Sequence, residues 1–312
     1  AAMRKRQSQL TKQPGSLAML EDLAVTLAGW QGRDKPVIDK AQALVFAGNH
    51  GVCAQGVNPF PQEVTVQMVA NFQHGGAAIN QLCAANGCDL SVIALELDRP
   101  TGDISQGPAM TEAETLDAIR QGAAAVDPAA QVLVLGEMGI GNSTIAAALA
   151  LATFGGTGSD WAGPGTGADE EGVSHKARVV EQAVAANRSA LADPFSTLAA
   201  LGGREQAAIC GAVLEARRRR IVVVLDGFIC TAAAAPLHAF SGALDHCVAG
   251  HVSAEPGHQR LLAALGKTPL LSLGMRLGEG SGAALAVSVL RSAVACHSGM
   301  ATFAEAGVAG GG

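Results

Sequence analysis

The sequence predicts an α/β protein with a doubly wound, mostly parallel sheet flanked by helices. Four short runs are apolar along nearly their whole length, which is typical of parallel strands buried on both faces. These runs are Ala43–Ala47, Leu90–Leu97, Gln131–Leu135 and Ile221–Leu225. Helical stretches lie between and after them, and such alternation covers both faces of a sheet. The predicted helices are Gln62–Ala85, Glu112–Val126, Asn142–Thr153, Asp169–Ala192, Arg204–Arg217 and Cys230–Phe240.

Both ends of the chain read as helical. Ser16–Trp30 carries an apolar stripe at helical spacing, and Ser16 is the expected N-cap. Near the other end, Gly282–Cys296 and Ala301–Ala306 also read as helices. We therefore expect a small helical domain from residues 1–32 and 283–312, beside an α/β domain from residues 33–282.

The composition argues against a nucleic-acid-binding protein and against a membrane protein. The chain has 312 residues, of which 49% are apolar, and its net charge is −6. An acidic balance argues against nucleic-acid binding, since such proteins usually present a basic face. The one basic run, Arg217–Arg220, precedes an apolar strand, so we expect it to cap a helix C-terminus. No uncharged apolar run reaches about 18 residues, so no membrane span is expected.

The cysteines and histidines suggest neither a disulfide framework nor a metal site. The seven cysteines are scattered and form no CxxC pair, which fits a reduced cytoplasm. His246, His251 and His258 lie five and seven residues apart, which is no recognised zinc spacing. We expect no metal and no cofactor. His50 lies in a glycine-rich turn after a predicted strand, so a position lining the site is plausible for it.

One glycine-rich turn follows the third predicted strand. Ligands of open α/β sheets bind beyond the carboxyl ends of the strands. Here Gly139 and Gly141 permit a tight turn, and Asn142 begins a helix whose free N–H groups would bind an anion such as phosphate. The spacing resembles a P-loop without its lysine, which argues against a nucleoside triphosphatase. An ordinary turn with an ordinary cap is equally compatible with the pattern.

A second glycine cluster contains Gly165, Thr166 and Gly167. Its N–H groups and the Thr166 hydroxyl could hold another anionic group. Lys176 lies about two turns into the following helix and could reach a phosphate. The alternative is a solvated surface lysine, as most lysines are.

Two glutamates stand out as candidate acid–base groups. Glu279 lies between Gly278 and Gly280, so a ligand can approach it closely, and partial burial would raise its pKa. The alternative is a carboxylate that merely faces the dipole of a helix N-terminus. Glu137 lies in the first glycine-rich turn. Two carboxylates without an obvious nucleophile suit acid–base work at a sugar carbon better than covalent catalysis.

Taken in order, these segments resemble the nicotinate-nucleotide–dimethylbenzimidazole phosphoribosyltransferase family, and they span nearly the whole chain. The matching stretches are Thr11–Leu17, Phe46–Val52, Pro61–Thr65, Gln67–Val69, Gly75–Asn80, Gly136–Thr144, Gly165–Gly167, Leu225–Phe228, Ser253–Gly257, Gly274–Ala284, Met300–Phe303 and Glu305–Val308. Two positions depart from the pattern: Asn49 stands where aspartate is expected, and Gln13 where proline is usual.

The resemblance implies a Rossmann-like domain, a helical domain made from both termini, and a homodimer. It implies transfer of phosphoribose from nicotinate mononucleotide to 5,6-dimethylbenzimidazole in cobalamin biosynthesis. Glu279 would be the general base and Glu137 a second carboxylate. The residues implied to bind phosphate are Gly139, Gly141, Asn142, Gly165, Thr166, Gly167 and Lys176. Those implied to bind the base are Asn58, Phe60, Gln67, Met68, Met275 and Leu277.

Two other classes remain open at this point. One is a regulatory protein that binds nucleotides or bases on the same fold, against which the retained Glu279 and Glu137 argue. The other is a nucleotide hydrolase, which would release nicotinate without an acceptor base.

Overall fold

A single six-stranded parallel sheet organises the computed structural model, which describes residues 2–309. The strand order is β2-β1-β3-β4-β5-β6, and every neighbouring pair is parallel. The strands are β1 Ala41–Ala47, β2 Cys88–Ala94, β3 Val132–Met138, β4 Val222–Leu225, β5 Cys247–His251 and β6 Pro269–Leu271. After β1 the chain runs to β2 on one side and then returns to β3 on the other. The predicted α/β class is therefore confirmed.

Helices cover both faces of this sheet. They are α1 Ala2–Gln9, α2 Met19–Gln31, α3 Glu63–Gln73, α4 Ala78–Asn86, α5 Glu112–Ala124, α6 Asn142–Phe154, α7 Gly158–Trp161, α8 Glu170–Ala186, α9 Pro194–Leu201, α10 Arg204–Arg218, α11 Phe228–Ala234, α12 Pro256–Ala264, α13 Ser281–Gly299 and α14 Phe303–Ala306. Short 3₁₀ turns span Gly51–Gln55, Arg188–Ala190 and Ala235–Ala239.

Strand side chains divide the core into two clusters. Leu44 and Phe46 of β1 belong to the cluster on one face, whereas Ala43 and Val45 belong to the cluster on the other. This alternation follows from the two-residue period of a strand. All seven residues of β1 are buried, which explains why the sequence shows a continuous apolar run.

Several sequence-based boundaries were wrong. The helix expected over Gln62–Ala85 is two helices, because Gly75 adopts a left-handed φ of 76° between α3 and α4. The expected N-cap Ser16 lies outside α2, which begins at Met19 after Ala18. The helix expected to reach Ala192 ends at Ala186, and a 3₁₀ turn follows it. Pro236 lies in the 3₁₀ turn that follows the short α11.

Strands β5 and β6 were not predicted. Strand β5 ends in Gly250 and His251, and β6 has only three half-buried residues and begins with Pro269 at the sheet edge. Neither segment shows the long apolar run or the alternation by which strands are recognised.

The two ends of the chain contact each other. Leu10 and Thr302 form an antiparallel bridge, and the Arg6 guanidinium donates to the carbonyl of His297. Helices α2 and α13 also pack on the sheet, in the same cluster as Val134 and Val224. The boundaries of the terminal helical domain stay a prediction, and its residues 1 and 310–312 lie outside the described residues.

The basic run lies at the end of α10, as expected. The Arg217 guanidinium lies 5.2 Å from the centre of the Trp30 ring, and Arg220 donates to the carbonyls of Gly29 and Trp30 at the end of α2. The run therefore also neutralises the C-terminus of a second helix. Between residues 2 and 309, no helix is long and apolar enough to cross a membrane.

Candidate active site

A cavity of about 660 Å³ lies at the carboxyl ends of β3, β4 and β5. This position adjoins the point where the strand order reverses between β1 and β3, which is where open α/β sheets bind their ligands. Most residues expected at the site line the cavity. They are Asn58, Phe60, Met68, Glu137, Gly139, Gly141, Asn142, Gly165, Thr166, Leu277 and Glu279.

Four of the residues expected to bind substrate lie outside the cavity lining. Lys176 is buried just behind it, and Gly167 is exposed beside Thr166. Gln67 points from α3 toward solvent, and Met275 is half-buried in the loop before α13.

Glu279 is held at the cavity wall in an unusual backbone conformation. Its φ is 63°, in the left-handed region that favours glycine, and both of its neighbours are glycines with positive φ. Its side chain is only 6% exposed, and the buried Oε2 atom has no hydrogen-bond partner among the described residues. Burial, and then the charge of Asp226, raise the pKa of Glu279 to about 7.

Glu137 is the penultimate residue of β3, so its side chain emerges at the end of the strand. The side-chain amide of Asn142 donates a hydrogen bond to its carboxylate. Burial raises the pKa of Glu137 to about 8 despite that bond, and the nearby carboxylates Asp226, Glu205 and Glu279 add to the effect. Gly278 permits this arrangement, because a Cβ atom there would lie 2.6 Å from Oε1 of Glu137.

Asp226 follows β4 directly and is fully buried. Its carboxylate accepts hydrogen bonds from the N–H groups of Gly280 at 3.2 Å and Ala283 at 2.9 Å. It thus fixes the start of α13 immediately after Glu279. Asp226 lay within the matching stretch Leu225–Phe228, but sequence reasoning assigned it no function.

A buried pair supports the first glycine-rich turn from behind. Nε2 of His50 lies 2.6 Å from Oε1 of Glu205, and both side chains are fully buried. A Cβ atom on Gly139 would lie 3.0 Å from each of these two atoms. The expectation that His50 lines the cavity was therefore wrong, since it lies one layer deeper. Glu205 was missed because its sequence position looks like an ordinary helical first turn.

The expected phosphate-binding side is built around Lys176. Its Nζ atom donates to Oγ of Ser143 at 3.1 Å and to the carbonyl of Gly163 at 2.9 Å. Only 2% of Lys176 is exposed, so the solvated-lysine alternative was wrong. Burial lowers its pKa, and the carboxylate of Glu255 opposes this shift.

Two further residues shape that side of the cavity. Glu255 accepts a hydrogen bond from the N–H of Gly165 at 3.0 Å, and the exposed Arg276 donates to the carbonyl of Gly165 at 3.3 Å. Sequence reasoning assigned neither residue. Glu255 lay within the matching stretch Ser253–Gly257, which was the only available signal for it.

The opposite side of the cavity is apolar. Phe60 and Leu277 are about half exposed at its mouth, with exposed fractions of 46% and 57%. Val64, Met68 and Ile140 continue the wall inward. A flat aromatic ring suits such a slot, because its faces need no polar partners.

Within residues 2–309 there is no group of three or more histidine, cysteine, aspartate or glutamate side chains that could hold a metal ion.

Comparisons with known proteins indicate one enzyme family over nearly the whole chain. A phosphoribosyltransferase family model matches residues 1–308. A nicotinate-nucleotide–dimethylbenzimidazole phosphoribosyltransferase of Ruegeria pomeroyi is 63% identical over 312 residues, which are 100% of this chain and 92% of that protein. The enzyme of the same name from Jannaschia sp. is 61% identical over 100% of this chain and 93% of its own length.

A solved structure is also similar. The crystal structure of the nicotinate-nucleotide–dimethylbenzimidazole phosphoribosyltransferase from Thermus thermophilus superposes with a TM-score of 0.93 at 42% sequence identity. The match covers 99% of this chain and 98% of that one.

Proposed function

This chain belongs to the nicotinate-nucleotide–dimethylbenzimidazole phosphoribosyltransferase family, and from that premise we propose that Glu279 is the general base of the transfer. The reaction moves the 5-phosphoribosyl group of nicotinate mononucleotide to 5,6-dimethylbenzimidazole. Its products are α-ribazole 5′-phosphate and nicotinate, and its place is in cobalamin biosynthesis.

The substrates determine what the protein must supply. The ring nitrogen of nicotinate mononucleotide is positively charged, so nicotinate leaves with the C–N bonding pair as a neutral ring nitrogen and needs no acid. One benzimidazole nitrogen attacks the anomeric carbon, and the other loses its proton to Glu279. Attack opposite the leaving group inverts the anomeric carbon, which converts a β-nucleotide into an α-nucleotide.

The observation that carries this proposal is the free carboxylate oxygen of Glu279. A buried polar atom without a protein partner is costly, and Glu279 lies at the wall of the cavity, where a bound substrate can supply the missing hydrogen bond. A pKa of about 7 gives this carboxylate a useful basicity near neutral pH.

Glu137 has a different role, because it is buried, accepts a hydrogen bond from the side-chain amide of Asn142, and has a pKa raised by burial to about 8. Near neutrality it keeps its proton and offers a hydrogen-bond donor to the substrates. It therefore adds no second negative charge beside Glu279.

The remaining groups position the substrates. The 5′-phosphate lies against the start of α6, where Gly139, Gly141 and Asn142 provide a helix N-terminus. Lys176 reaches the phosphate from behind the cavity lining. Gly165, Thr166 and Gly167 contact the phosphate on the side opposite α6. The benzimidazole occupies the apolar slot between Phe60, Met68 and Leu277, with Asn58 at its edge. Holding both reactants in line supplies most of the acceleration.

The protein works as a homodimer in the cytoplasm under this proposal. Phe60 and Leu277 expose apolar surface at the mouth of the cavity, and a second copy would cover such surface. All seven cysteines are free, as expected for a reducing compartment. Sedimentation velocity tests the proposed homodimer. A single monomeric species at micromolar protein concentration would contradict the dimer.

The deciding experiment follows nicotinate release from nicotinate mononucleotide, with and without 5,6-dimethylbenzimidazole, and determines the anomer of the product by NMR. We expect release only with the base, and an α-riboside phosphate. Release without the base would indicate a hydrolase instead. Glu279→Gln should lower kcat by about 10²-fold, the usual effect of losing a general base. Near-normal turnover would remove Glu279 from this role.

A further inference from the structure

Asp226 joins the strand β4 to the backbone that carries Glu279. Its Oδ2 accepts from the N–H of Gly280, and its Oδ1 accepts from the N–H of Ala283. These donors are the residue that follows Glu279 and a residue in the first turn of α13. The chemistry proposed above gives Asp226 no part, although it is fully buried and lies next to the cavity.

The turn that Asp226 holds is under conformational strain. Gly278, Glu279 and Gly280 have φ values of 83°, 63° and 84°, so three successive residues adopt the left-handed region. A non-glycine residue persists there only where the surroundings fix it. Strand β3 restrains the turn from the other side, because a Cβ atom on Gly136 would lie 2.5 Å from the carbonyl oxygen of Glu279.

We infer that Asp226 is a positioning residue for the transfer: it clamps the turn that presents Glu279 and places a fixed negative charge behind that carboxylate. The inference rests on the proposed role of Glu279 as the base. Two N–H donors and the N-terminus of the 19-residue helix α13 stabilise the charge of Asp226. A neighbouring negative charge makes a carboxylate bind its proton more tightly, and Asp226 accordingly raises the pKa of Glu279.

Other charged groups face Glu279 from the elements around it. Glu137 approaches from β3, His251 from the end of β5, and the exposed Arg276 belongs to the same loop. Nε2 of His251 lies 3.4 Å from Oδ1 of Asp226. The His251 ring also packs on Gly282, where a Cβ atom would overlap it.

The test measures the protonation of Glu279 itself in the full-length protein. Infrared difference spectra between each enzyme and its Glu279→Gln derivative isolate the carbonyl stretch of the protonated Glu279 carboxyl as pH is varied. In Asp226→Asn we expect the midpoint to fall by roughly one pH unit or more, because the like charge is gone. The acid limb of kcat/KM should move in the same direction. We also expect kcat to fall at least about tenfold through misplacement of the base, with KM for nicotinate mononucleotide changed less than about threefold.

Two further variants test whether the effect comes from the charge of Asp226. Asp226→Ser removes the charge while keeping a hydroxyl that can accept an N–H bond, so it should move the midpoint in the same direction. Asp193→Asn is the matched control, because Asp193 also bonds two N–H groups at a helix start, those of Phe195 and Ser196, but lies at α9 on the surface. It should leave the Glu279 midpoint and the pH profile unchanged.

The outcomes separate the positioning role from the general-base role. An unchanged midpoint in the folded Asp226→Asn or Asp226→Ser protein would overturn the inference. Failure of both neutral variants to fold, while Asp193→Asn folds, would also overturn it and leave Asp226 a residue of stability alone. Near-normal turnover of Glu279→Gln would instead defeat the general-base proposal, and the infrared midpoints would still report whether Asp226 acts on Glu279.

Discussion

His50 and Glu205 form a fully buried pair, 2.6 Å apart, directly behind the glycine-rich turn that follows β3. The pair lies where Gly139 leaves room for it, since a Cβ atom on Gly139 would lie 2.6 Å from the carbonyl oxygen of Gly48 and 3.0 Å from both partners. The position of the turn, and therefore of the helix N-terminus at Asn142, depends on this contact between the backbone and the hydrogen-bonded pair.

Replacement of Gly139 by alanine should therefore displace the turn. We expect Gly139→Ala to lower kcat/KM for nicotinate mononucleotide by about tenfold to 10²-fold, because small displacements of a binding group cost that much. The loss of stability should be about 1–3 kcal/mol, as for other overpacked sites. Gly107→Ala is the control, because a Cβ atom there meets no atom within 4 Å. Equal kinetics for the two variants would show that the turn tolerates the shift.

Lys176 should act on the phosphate alone. Lys176→Met removes one charge-assisted hydrogen bond, worth about 1.5–3 kcal/mol, so KM for nicotinate mononucleotide should rise roughly 10- to 100-fold. The variant should also be less stable, because it leaves the carbonyl of Gly163 and the buried carboxylate of Glu255 without their cation, so kinetics are compared at a temperature where both proteins are folded. With nicotinate riboside, which lacks the phosphate, the variant and the wild type should react equally slowly. A similar loss with both donors would contradict a phosphate contact. Lys35→Met, on the surface, is the matched control.

The sequence predicted the parts of the site that are local in the chain. A glycine-rich turn after an apolar strand located Gly139 and Gly141, because parallel strands bring their carboxyl ends to one edge, and the two glycines that flank Glu279 singled out that carboxylate. Glu205 and Asp226 act on those turns from distant segments, and their effect depends on which helix packs behind which strand. A single sequence does not specify such packing, so their contacts with Gly139 and Gly280 could not be predicted. Lys176 was only partly predictable from the sequence. It was recognised as a candidate phosphate ligand, but its burial was not predicted.

The acid limb of the pH profile should report Glu279. Its pKa of about 7 means that the carboxyl is protonated, and unable to accept the benzimidazole proton, at lower pH. We expect kcat/KM to rise about tenfold per pH unit up to about pH 7 and then to level off. The limb should disappear in Glu279→Gln, whose residual activity lacks a titrating base. A limb that persists in this variant would belong to a substrate or to another group.

Glu137 should make the folded protein less stable as the solution becomes more basic. Its pKa is raised from 4.5 in an unfolded chain to about 8 in the folded protein, so the folded state binds the extra proton. Between these two values the free energy of unfolding therefore falls as pH rises, by up to about 1.4 kcal/mol per pH unit. Glu137→Gln removes this dependence and still offers Asn142 an acceptor oxygen. The difference in melting temperature, variant minus wild type, should increase from pH 6 to pH 9.

Glu215→Gln provides the contrast for that measurement. Arg218, and also Arg219, hold the pKa of Glu215 at about 2, so this carboxylate is charged in the folded and unfolded states throughout pH 6–9. Its loss should lower the melting temperature by a small amount that does not change with pH, because exposed ion pairs contribute little. Comparison of the two variants by differential scanning calorimetry separates a buried carboxyl that resists ionisation from a surface carboxylate that favours it. A flat difference for Glu137→Gln would mean that this carboxyl ionises as easily inside the protein as outside it.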